Sequence, residues 1–178
     1  MSLDGTSLGA MATTADLLLD ALGRVRETVH EVLDATPADR LARPPAEGAN
    51  TIAWLVWHLS RILDDHVSKA FGREQVWNSA GWYEAFALPF PRAAHGYGHS
   101  VADVLAVQVP AHDLRGYHDA AQDAAAAVLR DVTDVDLDRI VDEHWDPPVT
   151  LAVRLVSVVN DCTQHAGQAA YAQGMLTR

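Results

Sequence analysis

Apolar residues recur along this chain at alternating spacings of three and four, the period of an α-helix with one buried face. The first such stretch predicts a helix that begins at Thr13 or Thr14 and runs to about Ala35, because a threonine can cap its start. Pro37 follows the expected end and stops the helix. The apolar face consists of Leu18, Leu22, Val25, Val29 and Val32.

A second helix is expected from Asn50 or Thr51 to about Phe71, and Gly72 is suited to end it. Residues 52–57, in its first half, are apolar on nearly every side. A helix of that kind is buried on several faces. We therefore expect the second helix to contact neighbours on more than one side.

Two further helices are predicted in the second half of the chain. One fits Ala111 to Val132, and the other runs from a cap at Thr150 to about Met175. The apolar positions of the third helix are Leu114, Tyr117, Ala121, Ala124 and Val128, and those of the fourth are Leu151, Leu155, Val158, Cys162, Ala166 and Ala169.

The segments between these helices differ in length. Residues 77–110 form a long connection rich in proline, glycine and aromatic residues, in which only residues 100–108 resemble a short helix; residues 134–148 predict a turn or a short extended piece. Four amphipathic helices without alternating strand patterns are typical of an all-α four-helix bundle, here with a long connection between helices two and three. We expect one domain over residues 13–176, preceded by a flexible leader of residues 1–12.

Composition narrows the function classes. The 178 residues include 13 Lys+Arg and 24 Asp+Glu, a net charge of -11, and a chain this acidic is repelled by a phosphate backbone. A single cysteine excludes an internal disulfide framework. The N-terminus lacks the pattern of a signal peptide, and no apolar run is long enough to span a bilayer. We expect a cytoplasmic protein with neither nucleic acid nor membrane as a partner.

The fourth helix carries a pair of potential metal ligands. Asp161 and His165 are four residues apart, so their side chains lie one turn apart on the same side, toward the apolar arc. A buried, unpaired carboxylate is costly, and a metal ion offsets that cost. Two other interpretations stay open: an Asp–His hydrogen bond, or pairing of Asp161 with Arg154 one heptad earlier.

A metal site needs a ligand from another element, and the second helix offers His58 and His66. His66 lies near the centre of its apolar face, whereas His58 lies at the flank. Periodicity therefore predicts His66 to be the more buried of the two. It does not decide which one binds an ion.

Two motifs resemble those of a known family. Residues 50–61, NTIAWLVWHLSR, resemble the second-helix motif of the DinB-like superfamily, whose relatives include mycothiol-dependent maleylpyruvate isomerases and thiol S-transferases. Residues 161–168, DCTQHAGQ, are similar to the family's closing motif. The resemblance extends over the bundle from about Thr13 to Met175, but only these two motifs are specific.

The resemblance implies a divalent metal held by His58, Asp161 and His165, with zinc as the expected ion and nickel as the alternative. This chain departs from the commonest pattern, because relatives more often carry Glu or His where it has Asp161. Three protein ligands leave a fourth position open, which in zinc proteins marks a catalytic site. A thiol bound at such a position loses its proton, and the thiolate is the nucleophile.

These implications lead to two expectations for function. The first is a metal-dependent thiol S-transferase or isomerase that activates a low-molecular-weight thiol, with mycothiol as the expected thiol, toward a small electrophile. The arginine-rich, lysine-poor composition indicates a GC-rich bacterial coding sequence and agrees with that thiol. The alternative is a non-catalytic metal-binding or stress-response bundle. The sequence identifies no catalytic residue and leaves the electrophile open.

Several other residues are candidates for substrate binding or further chemistry. Arg115, Tyr117 and Arg154 are suited to hold a substrate carboxylate. Trp82 and Tyr83, with Tyr97 and His99, are candidates for the mouth of the pocket.

The remaining candidates are weaker. His95 and His99 have a metal-like spacing, but Gly96 and Gly98 argue against a helix that would align them. Cys162 is an alternative ligand or nucleophile, although a lone helical cysteine is usually a small buried hydrophobe. The apolar helices also lead us to expect a homodimer.

Overall fold

The computed structural model describes residues 12–177, so almost all of the expected leader lies outside the described residues. The helices are α1 (Thr14–Ala35), α2 (Ile52–Ala70), α3 (Val76–Ser79), α4 (Trp82–Phe86), α5 (Val101–Ala106), α6 (Ala111–Leu129) and α7 (Leu151–Leu176). A 3-10 helix spans Asp134–Asp138, and two short strands are β1 (Ile140–Asp142) and β2 (Val149–Thr150).

The predicted four-helix bundle is confirmed, and its members are α1, α2, α6 and α7. Both α6 and α7 pack against α1 and against α2, so the apolar faces of all four meet in one core. Threonine side chains cap three of the four starts, as expected: Thr13 accepts from the Asp16 amide, Thr51 from the Trp54 amide and Thr150 from the Val153 amide.

The long connection between α2 and α6 is more ordered than its sequence pattern predicts. The expected helix near residues 100–108 is present as α5, whereas α3 and α4 were not predicted, because helices of four and five residues are too short to establish a period. Trp77, Phe86 and Phe90 are buried and join the core. The connection therefore covers α2 along one flank.

The extended piece expected between the third and fourth bundle helices is an antiparallel hairpin. Strand β1 pairs with β2, with Ile140 opposite Thr150. The hairpin leads directly into α7 and brings Asp142 to Arg154, whose guanidinium lies 2.7 Å from the carboxylate. No helix in the described part of the chain combines the length and apolar character that crossing a bilayer requires.

Candidate metal centre

The structure brings together His58 from α2 with Asp161 and His165 from α7. One ligand atom from each residue lies within 4.8 Å of the other two. Nε2 of His58 is 3.9 Å from one carboxylate oxygen of Asp161, and Nε2 of His165 is 3.7 Å from the other. These separations are too long for hydrogen bonds and leave room for an ion between the three groups.

Both histidines are held in the tautomer that a metal ligand needs. Nδ1 of His58 donates to the backbone carbonyl of His95, and Nδ1 of His165 donates to Oε1 of Gln168 at 2.9 Å. Each Nε2 is therefore unprotonated in the neutral ring. Hydrogen bonds of this kind orient metal-binding histidines.

The electrostatics of the cluster fit a cation. Burial lowers the pKa of His58 to about 4, so the ring is neutral at neutral pH, and burial raises the pKa of the Asp161 carboxyl. Oδ1 of Asp161 is buried and has no hydrogen-bond partner within residues 12–177. Such an atom is costly unless a cation neutralises it, and the donor set of two imidazoles and one carboxylate suits zinc.

Neither alternative interaction of Asp161, a hydrogen bond to a histidine or a pairing with Arg154, is present among the described residues. The Asp–His separations exceed hydrogen-bonding distance, and Arg154 pairs with Asp142 instead. The carboxylate is thus left for a ligand from outside the chain.

Periodicity gave the wrong order of burial for the two histidines of α2. The His58 side chain is 8% exposed, whereas the His66 side chain is 26% exposed. The reason is that the connection covers the flank of α2 on which His58 lies. The indole of Trp54 stacks on the His58 ring, with centroids 4.7 Å apart and planes 11° apart, and Gly96 lies against its edge.

A cavity of about 700 Å³ opens beside the three residues. Of the residues singled out in the sequence, Arg154, Tyr97 and His99 line it, as do His66 and His95. Trp145, in the hairpin loop, also lines it and is 66% exposed. Nothing in the sequence around Trp145 indicates this role, because only the pairing of β1 and β2 brings the loop to the cavity.

Four of the candidate substrate-binding residues lie elsewhere. Arg115 pairs with Asp34 on α1. Tyr117 is fully buried and donates to Asp64. Trp82 packs on Tyr117 with tilted rings, and Tyr83 packs edge-on against Trp77; the ring centroids are 5.9 Å apart in both pairs. Tyr117, Trp82 and Tyr83 attach the connection to the bundle, whereas Arg115 joins α6 to α1. None of the four lines the cavity.

The structure also shows the surroundings of Cys162 and of the histidine pair His95 and His99. Cys162 is fully buried, its thiol points to the carbonyl of Leu59, and burial together with the Asp161 charge raises its pKa. Nδ1 of His99 accepts a hydrogen bond from the Trp54 indole at 3.2 Å. His95 and His99 belong to no group of potential metal ligands among the described residues.

Comparisons with known proteins agree with this fold. A family profile described as the DinB superfamily matches residues 13–169. A crystal structure of a conserved protein from Enterococcus faecalis superposes with a TM-score of 0.86 at 29% sequence identity, covering 93% of this chain and 98% of that one. No curated protein sequence matches this chain significantly.

Proposed function

This chain belongs to the DinB superfamily, and from that premise we propose that it is a metal-dependent enzyme that activates a low-molecular-weight thiol for S-transfer or isomerisation. The observation that carries the proposal is the group of His58, Asp161 and His165 at the wall of a cavity of about 700 Å³. A site that served stability alone would be closed by a fourth protein ligand. The three residues instead line an open cavity.

The three residues would hold the ion with two neutral nitrogens and one carboxylate, zinc being the expected ion and nickel the alternative. When bound, a divalent ion supplies the positive charge that deprotonates a thiol near neutral pH. The protein holds the ligand atoms in place through the His95 carbonyl and the Gln168 amide.

The sulfur nucleophile must come from a second molecule. Cys162 is the one cysteine of the chain, and its buried thiol with a raised pKa is a poor nucleophile. A small thiol entering the cavity would lose its proton to solvent and donate a sulfur electron pair to an electrophilic carbon. In transfer, the leaving group departs with its bonding pair; in isomerisation, the new S–C bond breaks again and its pair returns to sulfur. We infer mycothiol as the natural thiol from the resemblance of the two motifs.

Cobalt substitution tests this proposal. The cobalt protein should show no thiolate-to-cobalt charge-transfer band until a thiol such as 2-mercaptoethanol is added, and the band should form equally in Cys162→Ser. The loaded protein should then consume a thiol-reactive electrophile faster than the free thiol does.

Two results would contradict the proposal. A charge-transfer band present before thiol is added, and lost in Cys162→Ser, would place the cysteine in the ligand set. A cobalt spectrum that ignores added thiol, together with no turnover of electrophile, would favour the non-catalytic metal-binding alternative.

A further inference from the structure

Four histidines of the same cavity have their tautomers fixed by hydrogen bonds, and they divide into two opposite tautomers. His99 carries its proton on Nε2, because its Nδ1 accepts from the Trp54 indole. His58 and His165 each carry their proton on Nδ1 and present an unprotonated Nε2 to Asp161. His66, two turns after His58 on α2, is different. Its Nδ1 lies 2.8 Å from Nη1 of Arg154.

An arginine side chain can only donate hydrogen bonds. Nδ1 of His66 must therefore be the acceptor, and the proton of the neutral ring is on Nε2. The carboxylate of Asp65 is 3.9 Å from the same Nδ1, too far for a hydrogen bond, and it already accepts from Lys69 and Gln75.

The hairpin holds Arg154 in position. Nη2 of Arg154 donates to Asp142 at 2.7 Å, and the arginine side chain is only 17% exposed. Asp142 in turn accepts from the backbone amide of His144 at 3.0 Å. Asp142, Arg154 and His66 thus form a chain of directed hydrogen bonds from β1 through α7 to α2.

His66 lines the cavity beside Asp161, yet it is unsuited to bind a metal, because Nδ1 is occupied and Nε2 is protonated. The hydrogen bond that the structure shows for the ring within residues 12–177 is the one at Nδ1. Burial, followed by the charge of Arg154, lowers the pKa of the ring to about 4. At neutral pH the imidazole is therefore an uncharged donor with a fixed orientation.

We propose that Asp142 and Arg154 lock His66 as a hydrogen-bond donor for a negatively charged oxygen of the molecule that binds in the cavity. That this molecule is the electrophile rests on the proposed function; the donor role does not. His66 is thus a catalytic residue, and Arg154 and Asp142 are positioning residues.

Such a donor suits an electrophile on which an oxygen becomes negative during the reaction. When a thiolate adds to a conjugated carbonyl, the sulfur pair forms the S–C bond, the C=C pair forms the enolate double bond, and the carbonyl π pair moves to oxygen. The Nε2–H of His66 stabilises that oxygen and keeps its own proton, and solvent supplies the proton that completes the addition. A preorganised donor aimed at developing oxyanion charge is an effective form of catalysis.

The first test is the tautomer of His66, measured by 15N–1H NMR on the protein as purified. We expect the proton on Nε2 in the wild type, and a mixture of tautomers in Arg154→Met, which has a similar side-chain length and no donor. Arg24→Met, on the exposed face of α1, is the matched control and should leave the His66 signals unchanged. Wild-type His66 protonated on Nδ1 would overturn the proposal.

The second test is binding of benzoate, a carboxylate probe, to the zinc-loaded protein. Benzyl alcohol is the comparison ligand, since it has the same ring without the negative oxygen. His66→Ala should weaken benzoate roughly tenfold to hundredfold, the usual range for a hydrogen bond to a charged group, and should leave benzyl alcohol unchanged. Absence of benzoate binding to the wild type, or equal affinity in His66→Ala, would overturn the proposal.

Failure of this inference and failure of the proposed function give different results. His66→Ala should bind one zinc ion and give the same thiol-dependent cobalt spectrum as the wild type. A wild-type protein that shows the Nε2 tautomer and binds benzoate, yet ignores thiols, would contradict the thiol chemistry while leaving the donor role of His66 intact.

Discussion

The backbone at Gly96 lies so close to His58 that a β-carbon added there would be 2.5 Å from Nδ1 of the imidazole. Gly96 also has a φ of 102°, in the region that favours glycine. The glycine therefore permits the close approach through which the neighbouring His95 carbonyl fixes the tautomer of His58.

Gly96→Ala should consequently damage both stability and metal binding. We expect zinc affinity to fall about tenfold or more, as for other losses of support to a metal-bound histidine. Gly98→Ala is the matched control, because Gly98 also has a positive φ of 74° but open space around it. It should lose only the backbone contribution of about 1–3 kcal/mol and keep its zinc affinity. Calorimetric zinc titrations that show equal affinity for the two variants would contradict this relationship.

Removal of a ligand should abolish stoichiometric metal binding. His58→Ala and His165→Ala are each expected to lose the ion, measured by elemental analysis of the purified proteins. Zinc at a hundred times its Kd adds about 2.7 kcal/mol to the free energy of unfolding, so zinc should raise the Tm of the wild type and of neither variant. His112→Ala, an exposed histidine at the start of α6, is the control and should respond like the wild type. One full equivalent of zinc in either ligand variant would rule out this ligand set.

Arg61 should be a major contributor to stability, because its fully buried guanidinium fastens the connection to α2. Its Nε donates to the Ala94 carbonyl at 3.1 Å, and Nη1 donates to the Tyr117 hydroxyl at 3.2 Å. We expect Arg61→Met to lose about 3 kcal/mol or more in urea unfolding, since it leaves buried Asp64 without its cation. Tyr117→Phe removes the hydroxyl that accepts from Arg61 and donates to Asp64 but leaves both of those residues in place, and should lose less, about 1.5–3 kcal/mol. Similar losses for the two would contradict the assigned role.

His118 should make the protein less stable below pH 6.5. The ring is fully buried beside Ser60, and burial, with the charges of Arg26 and His30, lowers its pKa to about 3. The pKa of this ring is about 6.5 in the unfolded chain and about 3 in the folded one. Between these two pH values the unfolded chain binds the proton and the folded chain does not. The contribution of His118 to the free energy of unfolding is therefore fully present at pH 7 and is lost as the pH falls.

The expected contribution is about 2 kcal/mol between pH 7 and pH 5. His118→Gln should show a correspondingly smaller loss of unfolding free energy over that range, measured in urea without metal. His112→Gln removes an exposed histidine and should follow the wild type. A parallel pH dependence of His118→Gln and the wild type would contradict the prediction.

Local sequence is sufficient to predict the four helices of the bundle. The spans of α1, α2, α6 and α7 follow from a repeating apolar face, and the starts of α1, α2 and α7 follow also from threonine caps. Both signals act within a few residues. The position of Asp161 and His165 on one side of α7 follows from the sequence for the same reason, because four residues make about one turn. The homodimer stays a prediction, for which light scattering of the purified protein is the test.

Tertiary structure decided the rest of the site. His58 is more buried than His66 because residues of the connection, 37 positions away at His95, cover one flank of α2, and a helical period carries no information about that cover. The tautomer of His66 likewise depends on Arg154, 88 residues away. Periodicity reports which face of a helix is apolar, whereas burial and hydrogen bonding depend on which distant segment packs against each face.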